Sequence, residues 1–118
     1  MKIESDIKYL KAKRFALRIF KLSKYLKREK GEYEIAKQIF RSGTSIGANI
    51  AEAQYAESNS DFVHKLRVAI KESNESHYWL ELLYESETID EKMFQSLESD
   101  CRELTKLLTY IINRKKED

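Results

Sequence analysis

The sequence has no proline and only three glycines in 118 residues, at Gly31, Gly43 and Gly47. Proline and glycine are the main residues of turns and hairpins, so their scarcity disfavours a protein built from many short strands. Charged residues make up 36% of the chain, and many of them alternate with Leu, Ile and Ala at helical spacing. The composition therefore predicts an all-α protein.

Other absences exclude whole classes of protein. Cys101 is the single cysteine, which excludes an intrachain disulfide framework and a cluster of thiol ligands. No apolar run approaches the roughly 18 residues that a membrane-spanning helix needs. The first residues also lack the apolar core of a signal peptide. We therefore expect a cytoplasmic protein that makes no membrane contact.

The apolar pattern divides the chain into four predicted helices, at about residues 4–29, 33–57, 61–87 and 90–114, within a single domain over 1–118. Gly31, a polar stretch at 58–61 and a turn at 88–90 separate them. Connections this short predict an antiparallel, up-and-down four-helix bundle. The predicted core stripe of the last helix is Met93, Leu97, Cys101, Leu104, Leu108 and Ile111.

Residues 43–47 form the pattern G-x-S-x-G, which is typical of a hydrolase nucleophile elbow with Ser45 as the nucleophile. The order Ser45, Asp61 and then His64 or His77 even matches the order of a hydrolase triad. An elbow requires a strand, a sharp turn and a helix, whereas the residues before Gly43 have a helical pattern. Gly43 and Gly47 face one side of a helix and would let another helix approach closely. We therefore predict no catalytic residue and no enzymatic activity.

Several polar residues fall on the inner faces of the second and third helices. Asn49 could bond across to Ser73 or Ser76 and fix the register of the two helices, as buried polar residues can. A structural hydrogen-bond network is the favoured interpretation over a ligand site, and its predicted members are Ser45, Asn49, Glu52, Ser73 and Ser76. His64 and His77 lie about 20 Å apart by helical rise, so no metal site or cofactor is predicted.

The net charge of +2 conceals an uneven distribution. Residues 1–30 carry eleven Lys or Arg and three Asp or Glu, a balance of +8, whereas residues 51–100 carry four and twelve, a balance of −8. On the first helix, six cations share the side opposite the predicted core: Lys11, Arg14, Arg18, Lys21, Lys24 and Arg28. Such a stripe can follow a phosphate backbone of RNA or DNA without reading bases.

Two other interpretations of this basic stripe remain open. Leu10, Leu17 and Tyr25 lie among the cations, which is typical of a face partly buried against another protomer. The acidic partner would then come from the third helix, from Glu72, Glu75, Glu81 and Glu85. The stripe could equally be a solvated face. Trp79 lies beside the core stripe of its helix and suits either a subunit interface or a half-exposed position.

The stretches "SGTSIGANIAEA" and "SDFVHKLRVAIKESNESHYWLELL" resemble the bacterial four-helix bundle family of large-subunit ribosomal RNA intervening-sequence proteins. The matching positions are Ser45, Ala48, Asn49, Ala51, Glu52, Asp61, Phe62, Leu66, Ala69, Ser73, Glu75, Trp79, Leu80, Glu81 and Leu83. The resemblance implies a cyclic homo-oligomer, with a pentameric ring as the expected form. It also implies possible partners, because one related group, the accessory proteins of diversity-generating retroelements, is associated with nucleic acid and a reverse transcriptase. The family has no established activity.

Overall fold

The computed structural model describes residues 6–117 and contains four helices: α1 (Ile7–Lys30), α2 (Tyr33–Ala53), α3 (Asn59–Glu85) and α4 (Glu91–Glu117). These described residues include no strand, and the all-α, four-helix prediction is confirmed. Residues 1–5 and 118 of the predicted domain lie outside the described residues, as does the predicted start of the first helix at residue 4.

The ends of α1 follow from local capping. The Asp6 side chain accepts a hydrogen bond from the Lys8 amide at 3.1 Å, which satisfies one of the amides left free in a first helical turn. At the other end, Gly31 adopts the left-handed conformation with φ 64°. The amide of Glu32 then donates to the carbonyl oxygen of Leu26 at 2.9 Å, so the chain turns at the glycine that the sequence indicates as the helix stop.

The second helix ends at Ala53, four residues earlier than the sequence predicts. The amides of residues 54–56 each donate to a carbonyl three residues back, which tightens the chain into a turn. Ser58 then caps α3, because its hydroxyl accepts from the Asp61 amide at 3.0 Å. The Asp61 carboxylate accepts in return from the Glu57 amide at 3.1 Å. This reciprocal cap starts α3 at Asn59, two residues earlier than predicted.

Successive helices run antiparallel. Where two helices contact each other, residue numbers rise along one helix as they fall along the other. Residues 12 and 19 of α1 lie against residues 47 and 43 of α2. Arg41 and Glu52 of α2 pair with residues 72 and 65 of α3. The resulting bundle is 47 Å long and 22 by 20 Å across.

The core is continuous along the bundle and receives residues from all four helices. Its largest fully buried side chains are Phe15, Ile19, Leu26, Ile39, Ile46, Ile50, Leu66, Leu80, Leu83, Leu104 and Leu108. Burying this apolar surface supplies most of the driving force for folding, at about 25 cal/mol per Å². On α4, Ile112 is buried and Ile111 only partly so, whereas Met93 remains 37% exposed. The predicted stripe of α4 is therefore wrong at its two ends.

Candidate nucleic-acid interface

The surface side of α1 includes three neighbouring lines of residues, each with a step of seven, that contain the six predicted cations. Seven residues make almost two helical turns, so each line runs nearly along the helix axis. We call them the inner line (Lys11, Arg18 and Tyr25), the cation line (Arg14, Lys21 and Arg28) and the outer line (Leu10, Leu17 and Lys24). The six predicted phosphate-binding residues are thus divided among three different environments.

The inner line faces α4, and its two cations are already paired there. Lys11 forms an ion pair with Glu103. The Arg18 guanidinium donates to Asp100 at 2.5 Å and to the Ser96 hydroxyl at 2.8 Å. These two residues therefore hold α1 against α4, and their charges are neutralised locally.

The cation line is free of such pairing. Arg14, Lys21 and Arg28 have no ion-pair partner among the described side chains, and all three are exposed. Their spacing along the helix is about 10.5 Å per step of seven residues. On the outer line, Lys24 places its ammonium 4.7 Å from the centre of the Phe20 ring, a cation–π contact that leaves it at the surface. Four of the six predicted cations are thus available to an anionic partner.

Two leucines of the outer line lie beside these cations. Leu10 is 43% exposed and Leu17 is 58% exposed. Single exposed apolar residues are ordinary on a protein surface, but here two lie one line away from three free cations. The face is therefore suited both to phosphate and to an apolar contact.

The acidic residues of α3 that could have met this face are partly engaged within the protomer. Arg41 of α2 forms ion pairs with both Glu72 and Glu75. The pKa of the Glu75 carboxyl is lowered, first because the Trp79 indole N–H donates to it and also because Arg41 pairs with it, against the opposing effect of burial. Trp79 is itself partly buried against the core.

The remaining two acidic residues differ from each other. Glu81 lies 3.5 Å from Nδ1 of His77, and Glu85 is exposed at the end of α3. If all four acidic side chains formed ion pairs with the basic stripe of another protomer, those ion pairs would have to replace the contacts with Arg41 and His77.

The predicted polar network is divided into separate contacts. The Ser76 hydroxyl lies 2.9 Å from the Ser42 hydroxyl and 2.9 Å from the Glu72 carbonyl oxygen. The Ser73 hydroxyl lies 2.7 Å from that of Thr105 on α4. Sequence reasoning missed Ser42, although it falls midway between Ile39 and Ile46 on the buried face of α2.

The other three members of the predicted network lie elsewhere. Asn49 donates to the carbonyl oxygen of Ser45 within α2 at 2.8 Å, instead of reaching Ser73 or Ser76 on α3. The Ser45 hydroxyl donates to the carbonyl oxygen of Arg41 at 2.6 Å. Glu52 is exposed and lies 3.4 Å from Lys65. Both side chains thus bond to the carbonyl oxygen four residues earlier in their own helix, which is the local alternative to a contact with another helix.

The G-x-S-x-G pattern lies entirely inside α2. Gly43, Ser45 and Gly47 all have helical backbone, so Ser45 does not lie on a strand-to-helix turn. A side chain at Gly43 would place its Cβ 2.8 Å from Cγ2 of Ile19, whereas one at Gly47 would lie 3.6 Å from Cβ of Ala12. The glycines thus lie where α2 packs against Ile19 and Ala12 of α1.

Cys101 and the two histidines do not form a shared site. Cys101 is buried, its thiol donates to the Ser73 carbonyl oxygen at 3.2 Å, and burial raises its pKa. His77 of α3 reaches Glu98 of α4 at 3.4 Å. Among the residues that the structure describes, no three His, Cys, Asp or Glu side chains converge as metal ligands would. Over the same residues, no helix has the length and apolar character needed to cross a bilayer.

Comparison with known proteins identifies a family and similar solved structures. The model of the 23S rRNA-intervening sequence protein family matches residues 5–110. A crystal structure of a protein of unknown function from the S23 ribosomal protein family of Bacteroides thetaiotaomicron is 50% identical, with a TM-score of 0.88. The match covers 89% of this chain and 97% of that one. No curated protein matches this sequence. The chain belongs to the 23S rRNA-intervening sequence protein family.

Proposed function

We propose that this protein is a non-enzymatic, oligomeric RNA-binding protein that contacts the phosphate backbone through α1. The observation that carries the proposal is the cation line, whose three side chains are exposed and unpaired among the described residues while the neighbouring inner line is neutralised by α4. The family's description names a 23S rRNA intervening sequence, and we take RNA as the nucleic acid of this proposal. A cytoplasmic location fits such a partner.

The cation line is suited to contacts with the phosphate backbone and not to recognition of a base sequence. Successive residues of the cation line lie about 10.5 Å apart along α1, so each can meet a different phosphate of the same strand. Arg and Lys at this spacing can neutralise separate phosphates and release their counterions. We expect binding that is sensitive to salt and nearly indifferent to sequence.

We also propose that the protein is a homo-oligomer, with a pentameric ring as the expected form. The exposed Leu10 and Leu17 support an apolar contact at or beside the basic face. A ring would repeat the cation line once per protomer, so several weak phosphate contacts would combine into a tighter one.

An alternative function is a protein-interaction scaffold that binds no nucleic acid. The same two leucines favour it, because an apolar pair surrounded by cations also suits a partner protein with an acidic rim. A reverse transcriptase or another protein would then be the ligand of the ring.

Light scattering separates these proposals. The mass of the purified protein is measured alone and with a mixed-sequence RNA, at low and at high salt. An oligomer whose mass increases with RNA at low salt only supports phosphate binding by an assembled protein. An oligomer that ignores RNA at both salt concentrations overturns the RNA proposal and favours the scaffold, and a monomer at every condition overturns the oligomer.

A further inference from the structure

A groove of about 380 Å³ lies between α1 and the first half of α4. Its floor consists of the buried Leu22 and Leu97, and Tyr25 and Met93 form its sides. Lys21 of the cation line and Arg18 of the inner line complete the lining. The groove thus combines an apolar floor, an aromatic ring and a free cation directly beside the proposed phosphate-binding line.

At this end of the bundle, α4 makes its aromatic contact with α3. The rings of Tyr84 on α3 and Phe94 on α4 stack with centres 4.7 Å apart. Among the described residues, the ion pairs from α1 to α4 involve residues 11 and 18, and neither lies in the C-terminal third of α1. Met93 lines the groove instead of the core, which explains its exposure.

The charges around the groove favour an anionic ligand with a flat apolar part. The six lining residues include no carboxylate. Asp100 is neutralised by Arg18, and Asp90 is engaged at the start of α4, where it accepts from the Met93 amide at 2.8 Å. Lys30 adds a further cation 6.0 Å from the centre of the Tyr25 ring. Glu87 and Asp90 line the next hollow, beyond Tyr25, and would repel phosphates there.

We propose that this groove takes an unpaired nucleobase of the bound RNA, with the adjacent phosphate held by Lys21. The inference rests on the proposed RNA-binding function and names the preferred substrate, which is single-stranded or looped RNA. A base has an apolar face that can pack on Tyr25 and Met93, and it is joined to the phosphate that the cation line requires. Base–aromatic stacking of this kind tolerates any sequence. A peptide with an acidic residue beside an apolar one is the competing ligand, which the experiment separates.

The test compares two RNA probes: a hairpin with an unpaired uridine loop, and a blunt duplex with the same number of phosphates. Wild-type protein is expected to bind the hairpin more tightly. Tyr25→Leu keeps the groove apolar and removes the stacking ring, and Met93→Glu places a carboxylate in the groove from an exposed position. Each should weaken hairpin binding by about 5- to 150-fold, the range for loss of one stacked base, and should affect duplex binding much less.

Leu82→Glu is the control for Met93→Glu, because Leu82 has similar exposure but lies on α3. Circular dichroism checks that each variant remains helical. Equal loss on both probes, or no loss on either, overturns the groove as a base site while the phosphate-binding proposal stands. A groove variant that lowers the oligomer mass overturns it in favour of a protein contact. If instead Arg14, Lys21 and Arg28 are replaced together by Gln and both probes still bind normally, the proposed function itself fails.

Discussion

Gly43 and Gly47 occupy equivalent positions in the sequence pattern, but the structure separates their roles. A Cβ at Gly43 would lie 2.8 Å from a side-chain carbon of the fully buried Ile19, which has no room to move away. A Cβ at Gly47 would make an ordinary contact with Ala12 at 3.6 Å. The four-residue spacing of the two glycines in the sequence indicates close helix packing. Only the contact with Ile19 in the structure shows that Gly43 is the position without room for a side chain.

We therefore expect opposite effects of alanine at these two positions. Gly43→Ala should lower the free energy of unfolding by about 1–3 kcal/mol because it overpacks the core. Gly47→Ala should raise it by up to about 1 kcal/mol because alanine favours the helix. Urea unfolding followed by circular dichroism measures both. Equal effects of the two substitutions would contradict the close contact at Ile19.

Glu98 is the most buried carboxylate described, with its side chain only 12% exposed. Its pKa is lowered, first because Arg102 donates hydrogen bonds to it and then through His77, against the opposing effect of burial. Since the pKa in the folded state lies below that of the unfolded chain, Glu98 contributes its full stabilisation above the unfolded value of about 4.3. That contribution is lost as the pH falls through the folded value.

Glu98→Gln should thus destabilise the protein near neutral pH and flatten the loss of stability below about pH 4.3. The measurement is the midpoint of urea unfolding over a series of pH values. Glu85→Gln removes the same charge from an exposed position and serves as the control. If the unfolding midpoint of Glu98→Gln fell with pH as in the wild type, other carboxylates would be responsible for the loss of stability in acid.

At the scale of single elements, the turn between α3 and α4 shows how a helix can end without the usual glycine. Glu87 adopts the left-handed conformation with φ 63°. The amide of Thr88 donates to the Leu83 carbonyl at 2.9 Å, and the buried Ile89 covers the end of the core. A residue with a Cβ is strained in this conformation.

Glu87→Gly should relieve this strain and stabilise the protein by up to about 1 kcal/mol, the gain being reduced by the flexibility of glycine in the unfolded chain. Thermal unfolding detects it as a rise in melting temperature. Ser86→Gly, one residue earlier at φ −85°, should give no such rise. A lower melting temperature for Glu87→Gly would show that the Glu87 side chain itself stabilises the turn.

The helices were predictable from sequence because their apolar periodicity is strong, and their ends much less so. The early end of α2 goes with the cap of α3 that Ser58 and Asp61 form together. Predicting it from sequence requires the cap to be assigned to both residues at the same time. Next to the exposed Met93, Phe94 of α4 stacks on Tyr84 of α3. That contact joins two helices, and periodicity within one helix contains no information about it.

Over the whole molecule, the sequence shows the charge asymmetry but not which cations of the first helix form ion pairs in the bundle. Six cations share one side of the first helix in the sequence. The structure assigns Lys11 and Arg18 to α4 through Glu103 and Asp100, and leaves the cation line exposed. This division depends on which acidic residues of α4 face α1, which no pattern within α1 can show. The groove beside it was likewise not predictable.

The central claim is that the cation line binds RNA phosphates, and the salt dependence of affinity tests it most directly. The variant in which Arg14, Lys21 and Arg28 are replaced by Gln is compared with one in which Arg67, Lys71 and Lys106 are replaced, three exposed cations on other faces. The slope of log K against log salt should become shallower by about 2 or more in the first variant, since each phosphate contact contributes about 0.7 for a single strand. The control variant should keep the wild-type slope. Equal slopes for the two variants would contradict the assignment of phosphate binding to α1.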